Sequence, residues 1–169
     1  MNEESAFLSS FRRIESGCLI GGRFDVAIED AFGNNLTRDA KRELWRRYLS
    51  FESDAPLLKE LARLRNESRG VILATNQTHI RLERMARDYE GVFDATFASC
   101  EMGRRKPTAE YFTAVCSALA CDPAEIVFVD DRAENVLGAA DVGLNGKLFT
   151  RRGGVSELTR LLTSAGQWH

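Results

Sequence analysis

The sequence predicts an α/β fold, a parallel sheet with helices on its faces, preceded by a helical segment. Three observations carry that expectation. After Pro56 short apolar runs, Val71-Ile72-Leu73-Ala74 and Ile126-Val127-Phe128-Val129, alternate with helix-patterned stretches. Before it, Phe7, Leu8, Phe11 and Ile14 follow three- and four-residue spacing. A chain of 169 residues, 44% hydrophobic and 28% charged, can also bury one core domain plus a small appendage.

Residues 5–50 read as helices interrupted by Gly17 and by Gly21-Gly22, with no strand among them. Residues 57–66 read as a helix carrying Leu57, Leu58, Leu61 and Leu64, residues 71–74 as a buried strand and residues 79–88 as a helix. A strand or turn is expected over 93–97. Pro107 suits the first turn of a helix over 108–120, which Asp122-Pro123 closes. A strand over 126–129, a helix over 133–141, a strand over 147–149 and a helix over 155–163 complete the pattern. The division expected is a helical segment, 1–55, and an α/β core, 56–169.

Composition excludes several functions. The apolar runs fall far short of the roughly 18 residues of a membrane span, and Met1-Asn2-Glu3-Glu4-Ser5 opens no secretory signal, so a cytoplasmic location is expected. Cys18, Cys100, Cys116 and Cys121 match no zinc spacing and read as free thiols. The net charge is −2 and the basic doublets are scattered among acids, which argues against a nucleic-acid partner.

In an open parallel sheet the ligand site lies beyond the carboxyl ends of the strands. One apolar run ends in Thr75-Asn76-Gln77, the other in Asp130-Asp131 with Asn135 one helical turn later. A threonine hydroxyl and the N–H groups of such a turn can hold phosphate oxygens; capping of the next helix explains Thr75, Asn76 and Thr78 as well. Adjacent carboxylates disfavour each other unless a cation or a donor network compensates, and Mg²⁺ suits that demand; the alternative is an N-cap aspartate beside a solvated neighbour. Lys106 sits in Gly103-Arg104-Arg105-Lys106-Pro107, where the proline can aim it, although alone it reads as a surface lysine.

Taken in order, Thr75-Asn76, Gly103-x-x-Lys106-Pro107 and Asp130-Asp131 with Asn135 resemble the second, third and fourth motifs of the haloacid dehalogenase (HAD) superfamily, over about residues 56–150. The branch it looks most like holds small sugar-phosphate phosphatases and the N-terminal phosphatase domain of epoxide hydrolases. Glu15-Ser16-Gly17-Cys18-Leu19-Ile20 is similar to a turn in that branch's helical cap. The resemblance implies a HAD-like Rossmannoid sheet under an N-terminal helical cap. It implies that Thr75, Asn76 and Lys106 bind the phosphoryl group, Thr75 and Lys106 acting in catalysis, that Asp131 with Asp130 holds Mg²⁺, and that Asn135 supports the loop. The partner implied is a small phosphorylated metabolite, whose identity would depend on side chains such as Phe11, Arg12, Trp45 and Tyr48. A two-component receiver domain uses similar residues, but there the acidic pair comes first.

The family's first motif, an apolar strand ending in Asp-x-Asp whose first aspartate attacks phosphorus, has no counterpart. Asp25 comes nearest, but it follows no apolar strand and has Ala27 where the second acid belongs. By the resemblance the absent strand belongs at the centre of the sheet, between those ending at Thr75 and Asp130. Three explanations are open: a truncated start, a non-catalytic binding or regulatory relative, or completion by another chain, as by strand exchange in a homodimer. The expectation is a Mg²⁺-dependent phosphatase core that is inactive as it stands.

Overall fold

The computed structural model describes residues 36–50, 52–67 and 70–164. The expectations for Phe11, Arg12, Cys18, Asp25 and the cap-like turn at 15–20 lie outside them. The chain clusters into two units, one formed by the residues up to Asp54 with Gly70–Arg105, the other by Ala55–Arg69 with the residues from Lys106 onward.

In the first unit, helix α1 spans Arg38–Leu49 and is capped by Thr37, whose side chain accepts from Ala40 N. Glu43 bonds both Arg46 and Arg47, and those bonds hold its carboxyl down at about 2. After the second unit's first helix, α2 (Ala55–Asn66), comes strand β1 (Ile72–Thr75), then helix α3 (His79–Asp88), strand β2 (Ala95–Ala98) and the short helix α4 (Ser99–Met102). β1 and β2 pair in parallel from Ile72 opposite Ala95 to Thr75 opposite Ala98. Asp94 anchors their start, its N–H donating to Val71 O and its carboxylate accepting from Val71 N. Val71, Met85, Val92, Ala98 and Cys100 form the buried apolar set of this unit.

The second unit adds helix α5 (Ala109–Leu119), strand β3 (Val127–Asp130), helix α6 (Ala133–Ala140), strand β4 (Asn145–Leu148) and helix α7 (Gly154–Ser164). β3 and β4 are parallel, with Val127 opposite Asn145 and Asp130 opposite Leu148. Tyr111, Phe112 and Val115 of α5 and Phe128 of β3 are buried in the core, the Phe112 and Phe128 rings meeting edge to face at 5.1 Å. α2 packs on α7, burying Leu64, Leu158 and Leu161.

The α/β class and the parallel pairing are those expected. Helix α3 keeps its predicted bounds, while β1 and β3 each begin and end one residue later than the apolar runs suggest. Three expectations are corrected. Pro107 stands before the N-cap Thr108 and outside α5, and α5 ends on Ala120 in the left-handed conformation (φ 53°). Asp122-Pro123 instead begins its own 3₁₀ turn, Pro123–Glu125, through a reciprocal bond between Asp122 and Glu125. The strands expected to be fully buried are half-buried: every residue of β1, and all of β3 except Phe128. Among the described residues each has a neighbouring strand on one edge, whereas parallel strands are ordinarily covered on both sides.

Two glycines set the packing of α6. A Cβ on Gly138 would lie 2.2 Å from the Pro107 carbonyl oxygen, and one on Gly146 would lie 2.8 Å from the Val136 carbonyl oxygen. The turn carrying Lys106 and the strand β4 therefore approach α6 as closely as backbone permits. We expect Gly138→Ala to destabilise the protein by about 1–3 kcal/mol through overpacking, although alanine is the better helix former by about 1 kcal/mol. Urea unfolding would show the midpoint fall at constant slope; an unchanged midpoint would mean that the turn is not held against the helix.

Candidate functional site

Strand alternation puts Phe128 and Asp130 on one face of β3, and Lys106 lies across both. Its Nζ is 5.3 Å from the Phe128 ring centroid and 2.6 Å from Asp130 Oδ2. Both side chains of the ion pair are only 8% exposed. The other carboxylate oxygen, Asp130 Oδ1, accepts from Arg132 N at 2.9 Å and from Asn135 Nδ2 at 3.0 Å. Asn135 is itself buried on the first turn of α6. Three of the predicted residues, Lys106, Asp130 and Asn135, are thus brought together, and Lys106 is an interior residue with a fixed partner.

Asp131 is placed differently. Its side chain is 39% exposed and its Oδ2 accepts from Arg151 Nε at 2.9 Å, while Oδ1 has no partner among the described residues. Glu134 follows on the first turn of α6; the backbone N–H groups there, and then Arg132, hold its carboxyl below the ordinary range. The adjacent aspartates therefore have separate cations, one inside and one at the surface.

Thr75 and Asn76 belong to the first unit. Thr75 closes β1 opposite Ala98, and Asn76 starts the turn into α3. That turn is fastened by buried Ser99, whose Oγ accepts from Gln77 N at 3.0 Å. Thr78, the N-cap of α3, makes no side-chain capping bond. Its hydroxyl is bonded instead to Tyr48 of α1, and Arg81 lies 5.2 Å from the centre of the Tyr48 ring. Helix capping, the alternative reading of this segment, is thus not what Thr78 does, and the first N–H groups of α3 receive no side-chain cap from it.

Arg151 and the Ser99–Gln77 bond escaped the sequence reading. Arg151 was within reach of it: the rule that draws attention to polar residues after β1 and β3 applies equally after β4. Ser99 carried no such signal, since its partner is a backbone group 22 positions away. Cys100, Cys116 and Cys121 are free thiols, burial pushing Cys116 up, and among the described residues no three metal-ligating side chains cluster. No helix of the described residues is long and apolar enough to cross a membrane.

A family model described as haloacid dehalogenase-like hydrolase matches residues 19–143. Flavin mononucleotide hydrolase 1 of Arabidopsis thaliana is 41% identical over 54 residues, 32% of this chain and 22% of that protein. The sesquiterpene phosphatase astK of Aspergillus oryzae is 34% identical over 100 residues, 57% of this chain and 50% of that protein. The chain thus spans half or less of the length of these relatives. Among solved structures, a magnesium complex of a HAD family enzyme from Bacteroides thetaiotaomicron aligns with a TM-score of 0.78 at 25% identity, covering 93% of this chain and 82% of that one.

The Lys106–Asp130 pair generates a stability prediction. Removing one member of a buried pair leaves an uncompensated charge, at about 3–5 kcal/mol, whereas an exposed pair contributes about 0–1 kcal/mol. Lys106→Met should therefore lower the unfolding free energy by about 3 kcal/mol or more, and adding Asp130→Asn should recover part of the loss. A Lys106→Met loss below about 1 kcal/mol would show the pair to be solvated.

Proposed function

The chain belongs to the haloacid dehalogenase-like hydrolases, and from that membership we propose that it is the phosphate- and metal-binding core of a Mg²⁺-dependent phosphatase acting on a small phosphorylated metabolite through an aspartyl-phosphate. The observation that carries this reading is the division between the two carboxylates at the end of β3, Asp130 held inside by Lys106 and Asn135, Asp131 open at the surface. The two phosphate-ester hydrolases among the relatives support the reaction class, and the magnesium in the Bacteroides structure supports the ion.

The donor set fits the ion. Mg²⁺ is held by one or two carboxylates completed by water and substrate phosphate, and Asp131 beside Asp130 offers oxygen donors alone. In this reading Asp131 is the direct ligand, because Asp130 already receives three internal hydrogen bonds. Bound there, Mg²⁺ would neutralise charge on the transferring phosphoryl group. Thr75 and Asn76 hold phosphoryl oxygens through the hydroxyl and the N–H groups of their turn. Lys106 contributes a fixed positive charge, and Asn135 keeps the Asp130 loop in place. Phosphoryl transfer asks for little beyond positioning and charge stabilisation.

The attacking aspartate is not among these residues, and no two aspartates anywhere in the sequence have the Asp-x-Asp spacing. Loss of a covalent nucleophile lowers turnover by several orders of magnitude, so the chain alone is read as inactive or nearly so. The same absence favours a second reading, a non-catalytic module that binds a phosphorylated ligand.

Hydrolysis of p-nitrophenyl phosphate, with and without Mg²⁺, tests both. We expect background turnover from this chain and Mg²⁺-dependent turnover from a version given an added N-terminal strand that ends in Asp-x-Asp, abolished there by Asp131→Ala. Turnover by neither version would favour the binding module. Robust turnover by the short chain would refute the missing nucleophile.

A further inference from the structure

Arg151 opens the 3₁₀ turn Arg151–Gly153 that follows β4. Phe149 N donates to Asp130 O at 2.9 Å, which carries the β3–β4 pairing past the end of the strands. The Thr150 hydroxyl is bonded to Glu157 of α7. From this anchored turn the Arg151 side chain reaches back to Asp131 while remaining 86% exposed. The neighbouring Arg152 has no ion pair among the described residues, so position rather than net charge selects Arg151.

We propose that Arg151 is a displaceable counter-cation of Asp131: it holds the carboxylate until a divalent ion takes it, and this exchange sets the apparent affinity for the ion. The inference rests on Asp131 as the metal ligand. Adjacent carboxylates disfavour each other unless compensated, and the two cations that compensate them here differ in how firmly they are held. Lys106 is enclosed with Asp130 and cannot leave without stranding a buried carboxylate that has lost its cation. Arg151 keeps its guanidinium in water, where an ion pair is weak and screened by salt. A doubly charged ion attracts the carboxylate about twice as strongly at equal distance, so it can displace the guanidinium at modest cost.

The experiment is Mn²⁺ binding to the whole chain at low salt, followed by electron paramagnetic resonance of the free ion. Compared are the unchanged chain, Arg151→Gln, Arg152→Gln and Asp131→Asn. Arg151→Gln should tighten Mn²⁺ binding about two- to fivefold, the span set by an exposed ion pair, and Arg152→Gln should have a clearly smaller effect of net charge. Equal effects of the two arginine variants would overturn the proposal. Weaker binding in Arg151→Gln would overturn it too, since Arg151 would then orient Asp131 rather than compete for it. Binding that survives Asp131→Asn, or no saturable binding by any version, would overturn the metal reading and the exchange with it.

Discussion

Burying Lys106 and Asp130 side by side imposes conditions on everything around them. A charge pair withdrawn from water is tolerated only when the remaining donors and acceptors are met. Arg132 N and the Asn135 amide meet them on the carboxylate side, and the Phe128 ring face lies near the ammonium. For the lysine to arrive at all, the turn before α5 must lie against α6, which the missing side chain of Gly138 allows. The start of α6, the end of β3 and the entry to α5 are thus tied to one ion pair, and these elements carry the lysine and aspartates of the proposed chemistry.

The sequence disclosed the elements better than their surroundings. Alternation of apolar runs with helical stretches located β1, β3 and β4 to within two residues at their starts, because that signal is local, and left open whether 93–97, where β2 begins, is strand or turn. The burial of Lys106 was not legible, since it depends on Gly138 and Phe128, 32 and 22 positions further on, acting together. Pro107 misled in a similar way: proline is favoured in the first turn of a helix, yet here Thr108 follows it as the N-cap. The acidic pair was legible as a problem of charge compensation, but which cation would serve each carboxylate depends on where the chain returns after β4.

In the first unit, local rules gave way to tertiary bonds at the turn after β1. Thr78 occupies an N-cap position with an N-capping residue type, and yet its hydroxyl serves Tyr48. A threonine bond spent on another helix ties α1 to the start of α3 and leaves that helix end uncapped by its own residue. A helix start is a place that suits an anion, so Thr78's departure from the capping rule falls in the segment for which the family resemblance implies phosphate binding. Departures of this kind are expected where function, rather than stability, selects the residue.

In the proposed reading, neighbouring carboxylates with different partners also divide two jobs that a single aspartate could not combine. An aspartate that organises a loop must keep its acceptors engaged, and engagement by a buried lysine makes it a poor ligand for an exchangeable ion. An aspartate that binds such an ion must be open to water and must release whatever holds it in the ion's absence. Asp130, 8% exposed with three internal donors, meets the first requirement, and Asp131, 39% exposed with an arginine in solvent, meets the second. Adjacency then becomes useful: Asp130, the last residue of β3, anchors the backbone of Asp131, the first residue beyond the strand.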